Sequence, residues 1–484
     1  MQTSGTISSW PGTGASRPQP AGQLARSEQR DWFDHALTVL LASLILLRTL
    51  VGLSPMSEGD AASRAAGANL LELGATFVPL GLAMIIMLRR WRTTLIMLLK
   101  TWPIWLLLGW FLISAFWTDY PGISLRRSIG TALFAVGCFG IAVGAARLSQ
   151  LLEIFFWCLL LVIAFNFAAF LLNPGFAVTI EGVRGIHSQK NVAGIVSMLA
   201  ALVGIAWLLA RPQPMRWLIG AAMVLIAILF LGLTESKTSM ALTFVGIGMM
   251  PLLIIGSRLS PGAAIVSTTV IVCAAIVLIL LVFGLGLDIE ATADDVGADL
   301  TFTGRTDLWA FMLQEILQRP FLGYGYGAFW DVGLDNDPLE RAPGGSWLLY
   351  VEPGYINQAH HGYLDLWAQA GLPAMILGVW IFLGLIVAAL RLVFTRTLSG
   401  GERRMALFCV IFFVLFLVHN FMESSLWARG QMLANISILL AFLIHRFADR
   451  AAPPSERIIP ARWWPVAPQA ETTSARSQRE GIPS

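Results

Sequence analysis

Long apolar runs separated by short polar segments fill most of the chain. Twelve runs reach or approach the about 20 residues that a helix needs to cross a bilayer. They fall at 36–54, 69–88, 96–116, 128–146, 150–173, 192–210, 217–233, 238–256, 263–287, 372–394, 405–419 and 431–447. Lys100 and Pro103 interrupt the third run, and the stretch from Tyr363 to Phe394 is long enough to hold a short surface helix before its span. The predicted fold class is all-α: a polytopic integral membrane protein of about twelve transmembrane helices. The membrane domain is expected over 34–447. Residues 1–33, rich in Gly, Ser, Pro and Arg, and residues 448–484 are expected to be disordered cytoplasmic tails. The first 30 residues hold no hydrophobic stretch, so no cleavable signal peptide is read there.

Composition supports this pattern. Of 484 residues, 56% are hydrophobic and 13% charged, about half the usual charged share of a soluble domain. That excludes soluble, fibrous and disordered classes for the bulk of the chain. The net charge of +3 says little; its distribution says more. With the N-terminus in the cytoplasm, the cytoplasmic segments carry twenty Arg and Lys and the outer segments ten, as the positive-inside rule requires. Twelve spans then leave both termini cytoplasmic. Arg48 and Lys100 lie within spans and are expected to snorkel or pair inside the bundle.

One connection stands apart. Residues 288–362 form a predicted extracytoplasmic loop of 75 residues with twelve acidic and three basic side chains. Loops of this length are uncommon and usually functional. All six tyrosines fall in outer segments, whereas membrane-interface belts would place them on both sides. The four cysteines (Cys138, Cys158, Cys273, Cys409) sit in apolar runs, which leaves the outer loops without a disulfide or a thiolate metal site.

Every second span begins at the outer face, where helix N-termini favour anions. Polar residues gather there: Arg126 and Arg127; Arg184, His187, Lys190 and Asn191; Glu235, Ser236 and Lys237; Arg305 with His360 and His361; His419, Asn420, Glu423 and Arg429. Cations in outer loops run against the positive-inside rule, and a phosphorylated lipid headgroup would account for them. Each group also has a plainer role. The Arg126–Arg127 pair can snorkel, Asn191 can cap its helix, Glu235 and Lys237 can form a surface ion pair, and His419 with Glu423 can be a satisfied helix-end pair. The acidic run Asp288, Glu290, Asp294, Asp295 and Asp299 fits no metal-ligand spacing and reads as a solvated face. Gly323-Tyr-Gly325-Tyr-Gly327 lacks the strand and helix that a nucleotide fingerprint needs. There is no P-loop and no HExxH, and nothing points to nucleic acid.

Three blocks then occur in order within the large loop: Thr303-Gly-Arg305-Thr-Asp307-Leu-Trp309, Arg319-Pro-Phe-Leu-Gly323-Tyr-Gly325, and Ala359-His360-His361-Gly362-Tyr363-Leu-Asp365 through Ala370-Gly371-Leu372. With Trp117-Thr-Asp119-Tyr-Pro121, Arg184-Gly185, Lys190-Asn191 and Ser236-Lys237-Thr238 upstream, the chain resembles the O-antigen ligase and polymerase superfamily, and within it the exopolysaccharide polymerisation branch. The resemblance implies a C-type glycosyltransferase-like fold in the inner membrane, with no cofactor and no metal. It implies donor and acceptor glycans on undecaprenyl diphosphate, with membrane lipids, chain-length regulators and export proteins as partners. An acceptor hydroxyl would attack the donor's anomeric carbon at the periplasmic face, and undecaprenyl diphosphate would leave.

By the same resemblance, Arg184 and Arg305 are expected to clamp the diphosphate, assisted by Arg126, Arg127 and Lys190. His360 or His361 is the expected general base, because this chain has His-His where the family shows His-Asn. His187, Trp309, Tyr324 and Tyr326 are expected to contact sugar or to pack the loop. A ligase that transfers glycan to lipid A-core is the alternative within the family. A flippase for the same lipid is the alternative outside it, disfavoured because transporters place their sites near the midplane and these polar groups gather at one face.

Overall fold

The computed structural model describes residues 21–52, 70–211, 213–259 and 302–451, with single positions at 262, 266 and 270. The predicted span at 263–287, Cys273, the acidic run 288–299 and the chain beyond 451 lie outside the described residues, as do residues 1–20. Within them the chain is helical: α1 (Ala21–Val51), α2 (Leu70–Arg89), α3 (Trp91–Lys100), α4 (Trp102–Ile113), α5 (Pro121–Gly144), α6 (Leu148–Leu172), α7 (Lys190–Leu208), α8 (Pro214–Thr234), α9 (Lys237–Leu259), α10 (Phe302–Gln318), α11 (Gly362–Phe394), α12 (Gly400–His419) and α13 (Met432–Phe447). A two-residue hairpin, β1 (Val178–Thr179) with β2 (Gly182–Val183), closes the turn between α6 and α7.

Eight described helices are long and apolar enough to cross a membrane, and nine if a bent pair counts as one span. The chain is thus a multi-pass membrane protein, and the count is of the described residues, which leave out most of the span predicted at 263–287. The bent pair is the third predicted span. It breaks at Thr101, and its two halves meet at 76°. Pro103 opens α4, where a missing N–H costs least. Lys100 turns aside to Asp449 at 2.7 Å. Ala75–Arg89 of α2 is a further apolar helix. α12 is apolar beyond a charged first turn of Glu402, Arg403 and Arg404. α11 breaks at Gly371 (φ 82°, ψ 168°), which sets the surface segment apart from the span that follows.

α12 and α13 are buried almost along their whole length and form the centre. α8 is peripheral, and Trp217, Leu218, Leu225 and Leu229 stay exposed on it. An apolar face of that size is what hydrocarbon covers. At one end of the bundle, ion pairs tie helices together: Asp34 with Arg89 and Arg90, Glu153 with Arg216, and Glu402 with Arg450.

At the other end, the described part of the large loop is a folded cap and not a free strand of chain. Leu308, Phe311, Met312 and Ile316 of α10 pack with Phe329, Trp330 and Leu348 as a core of their own. Arg341 donates from both Nε and Nη2 to one oxygen, Oε2, of the buried Glu315 at 2.8–2.9 Å. Arg127 fastens this cap to α5. Its guanidinium is buried and donates to the carbonyls of Gly327, Trp330 (2.8 Å) and Asp331 (2.8 Å). Charge-assisted hydrogen bonds of this kind hold about 1.5–3 kcal/mol each. Arg127→Met should therefore lower the stability of the detergent-solubilised protein by roughly 3 kcal/mol and speed proteolysis between Arg319 and Arg341. Unchanged melting and unchanged proteolysis would remove the strut.

Candidate functional site

The cap, the turn after α12 and the loop before α7 enclose a cavity of about 360 Å³. Its wall includes His187, Asn191, Ser236, Tyr326, His360, Asp365, His419, Glu423 and Arg429. These residues come from five separate stretches of sequence.

His360 is held at φ 49°, a left-handed conformation that few side chains adopt. Its neighbours are clamped on both sides. Ala359 N donates to Asp365 Oδ2 (2.9 Å), His361 N to Ser424 Oγ (3.1 Å) and Gly362 N to the carbonyl of Asn420 (2.8 Å). A Cβ at residue 362 would sit 2.0 Å from Asn420 Oδ1, so only glycine admits this approach. Strain of about 1–3 kcal/mol at such a residue persists only where the surroundings over-determine it. Here it aims the ring at Glu423: His360 Nδ1 lies 2.9 Å from Glu423 Oε2.

Burial alone would raise the Glu423 carboxyl. The hydrogen bond with His360 and the charges of His360, His419 and Arg305 outweigh it, and the group sits below its ordinary range. An ionised Glu423 accepts from Nδ1–H and leaves His360 Nε2 as the basic nitrogen. Arg305 reaches the same carboxylate, with Nη2 3.8 Å from Oε1, and donates to the carbonyl of Met422 at 3.0 Å.

His361 is placed differently. Its Nδ1 accepts from Leu364 N (3.3 Å) and caps α11, and its ring lies against Trp309, Tyr363 and Phe421. It is not among the residues lining the cavity. Burial lowers its pKa to about 4.

The predicted cations are not gathered into one clamp. Arg126 is exposed. Arg184 donates to the carbonyls of Phe176 (2.9 Å) and Ser188 (3.4 Å) and lies over the Phe176 ring. Lys190 donates to the carbonyl of Glu181 at 2.7 Å. None of the three lines the cavity. Arg127 does, while its guanidinium serves the cap. Arg429, not singled out for this role from sequence, is the other arginine in the wall.

The predicted sugar-contacting aromatics mostly fasten the cap. Trp309 Nε1 donates to the carbonyl of Ala359 (3.0 Å). The Tyr324 hydroxyl donates to the carbonyl of Glu315 (3.3 Å), and burial pushes its pKa up to about 12. Tyr326 lines the cavity, yet it stacks on Phe111 at 4.0 Å and donates to the carbonyl of Trp427 at 2.7 Å.

Residues 221–379 match the family model described as O-antigen ligase. The chain resembles the O-antigen ligase and polymerase superfamily, in its exopolysaccharide branch. Over 388 residues it is 25% identical to the exopolysaccharide production protein ExoQ of Rhizobium meliloti (strain 1021), across 76% of this chain and 82% of that protein. The O-antigen ligase match contains Arg305 and His360. Glu423, Arg429 and His187 lie outside it and reach the same cavity through the fold.

The cap on α11 also sets a pH response. His361 is depressed from its ordinary 6.5 to about 4, so the folded state binds fewer protons than the unfolded state between those values. Stability then rises with pH across that window and is lost as pH falls through it. Melting temperature should drop between pH 6.5 and 4, and His361→Asn, which keeps a capping acceptor without titrating, should flatten part of that slope. An unaltered slope in the variant would show that the cap is not what titrates.

Proposed function

We propose that this protein polymerises lipid-linked oligosaccharide repeat units into an exopolysaccharide at the periplasmic face of the inner membrane. The observation that carries this reading is the His360–Glu423 pair in the wall of a cavity closed by the superfamily's large loop. The likeness to an exopolysaccharide production protein over most of both chains supports the polymerase reading.

In the proposed reaction, the donor glycan is carried on undecaprenyl diphosphate, and the acceptor is a hydroxyl of a second lipid-linked unit. The hydroxyl oxygen attacks the donor's anomeric carbon. Its proton passes to His360 Nε2, while the bond from that carbon to the diphosphate oxygen breaks and undecaprenyl diphosphate departs with the electron pair. Glu423 holds the imidazole in the tautomer that can accept and stabilises the imidazolium that results. A positioned histidine contributes about 10²–10⁴-fold as general base.

The other demand is charge on the leaving diphosphate. An arginine offers a planar fork to phosphate oxygens, and each preorganised donor in a dry site contributes about 3–4 kcal/mol. Arg429, in the wall, and Arg305, beside Glu423, take this role. Arg184 and Lys190 stay with the loop they brace. Arginine then does the work of a divalent cation, and activity is expected to survive EDTA. Transfer to lipid A-core is the second reading, since the matching family is described as O-antigen ligase.

The test uses purified protein in proteoliposomes with lipid-linked repeat units from the producing cells and no nucleotide. Elongation with release of undecaprenyl diphosphate is expected. Movement of intact donor between leaflets without elongation would make the protein a transporter and overturn the proposal. In the same assay His360→Gln should slow elongation by about 10²–10⁴-fold, and His361→Asn should leave it within a few-fold of wild type. The reverse order would exchange the two histidines. In cells lacking the protein, single repeats on lipid A-core indicate lost polymerisation, whereas long unattached lipid-linked chains indicate lost ligation.

A further inference from the structure

α10 is not among the helices that can cross a membrane, yet one stripe of its exposed surface is apolar. Leu308, Phe311, Met312 and Ile316 face the core of the cap. On the opposite side the helical repeat brings Leu313 and Leu317 into line, and both are exposed. Gln314 and Gln318 are exposed as well and lie together on one flank of that line. Leu317 is 72% exposed, more open than the leucines that face lipid on α8. The apolar line continues beyond the helix into the turn at 319–323, where Phe321 and Leu322 are 65% and 44% exposed.

That turn is clamped between two elements that enter the membrane beside it. On one side, Leu372 N and Trp367 Nε1 both donate to the carbonyl of Pro320, at 2.9 and 2.8 Å. Gly371 lies so close that a Cβ there would stand 2.0 Å from the Phe321 carbonyl oxygen. Gly371 is also the break at which α11 passes from its surface segment into its span, so the turn lies level with the start of that span. On the other side, Trp117 Nε1 donates to the carbonyl of Leu322 at 3.0 Å. Trp117 follows the end of α4 and the exposed ring of Phe116. Trp110 packs against Trp117 with ring centroids 5.3 Å apart and donates to the carbonyl of Ala370 at 2.8 Å. Tryptophan collects at the membrane–water boundary, because its ring is apolar and its N–H needs a partner. Here Trp110, Trp117 and Trp367 mark that boundary around one turn. Below it, α4 and α11 expose Ile113 and Ile376 as lipid-facing side chains do.

We propose that the end of α10 and the turn at 319–323 form a membrane-docking surface, in which Leu313, Leu317, Phe321 and Leu322 enter the boundary between headgroups and acyl chains on the cap's side of the bilayer. The partner is the lipid surface, because the apolar line runs into helices that cross the membrane and its lower end is ringed by tryptophans. Gln314 and Gln318 stay toward water, which gives α10 the two-sided character of a helix lying in the interface. The cap is then seated on the bilayer and not held clear of it. This seating reaches the cavity. Trp309, on the same helix, donates to the carbonyl of Ala359 at 3.0 Å, one residue before His360, so the depth of α10 sets the height of His360 over the membrane. The docking surface is independent of the reaction proposed above.

The test places the photoreactive residue p-benzoylphenylalanine, one site at a time, at Leu317, Phe321, Gln314 and Leu225 of the full-length protein in nanodiscs of phosphatidylethanolamine and phosphatidylglycerol. Leu225, exposed on α8, calibrates contact with lipid. After irradiation and removal of free lipid, the intact mass of the protein is read. Positions 317 and 321 should gain the mass of one phospholipid about as often as position 225, and position 314 several-fold less often. Phe321 exchanges one aromatic ring for a larger one, so the test stands even if the chain fails to fold with the replacement at Leu317. Uptake at 225 with none at 317 and 321 would overturn the docking surface. Uptake at 314 equal to that at 317 would overturn it as well, because the face would not be two-sided. Cross-links from 317 or 321 to residues 271–301 of the same chain, or to a second copy, would overturn it by showing that protein covers the patch.

Discussion

The site depends on one hydrogen bond across two distant turns, His360 Nδ1 to Glu423 Oε2 at 2.9 Å. It joins the end of the cap to the turn after α12, and the backbone around it is arranged to make it. His360 accepts a left-handed conformation, Gly362 lets the chain touch Asn420, and Ser424 and Asp365 hold the peptides on either side. The buried centre of the bundle, α12 with α13, supplies the rigid support from which that turn projects. A histidine whose Nδ1 is committed to an ionised carboxylate has one free, basic nitrogen, and this is what a weakly nucleophilic hydroxyl requires.

The cavity wall mixes ionisable and neutral polar side chains. Beside His360 stands Glu423, with Arg305 at the same carboxylate, and Arg429 lines the same cavity. Against His187 lies the amide of Asn166. Two of the three histidines in the wall carry the proton on Nδ1 but meet different partners: His360 Nδ1 faces the Glu423 carboxylate and leaves Nε2 bare, whereas His187 Nε2 is taken up by the buried Asn166 amide at 3.1 Å. The surrounding side chains, more than the residue type, decide which can take a proton.

Much of the fold was legible from the chain. Apolar runs of the right length mark helices because lipid leaves the backbone no other way to satisfy its hydrogen bonds. Even the break at Thr101 was signalled, by Lys100 and Pro103. The site was legible only in outline. His360 and Arg305 lie in ordered motifs, but their partner Glu423 arrives through the fold, 63 residues from His360. Arg127 reads as a candidate phosphate ligand until its three carbonyl partners appear some 200 residues further along. Arg184 and Lys190 have the right charge, and only the geometry of their short loop shows that both heads turn away from the cavity. Asn166 gave one signal, an amide inside an apolar run, which is costly in a membrane unless it has work to do.

The most direct measurement of the central claim is a double-mutant cycle on elongation rate with His360→Gln, Glu423→Gln and the two combined. If Glu423 acts through the imidazole, the double variant will be no slower than His360→Gln alone, because the carboxylate has nothing left to orient. Rate losses that multiply independently would contradict the account and leave the two residues as separate contributors.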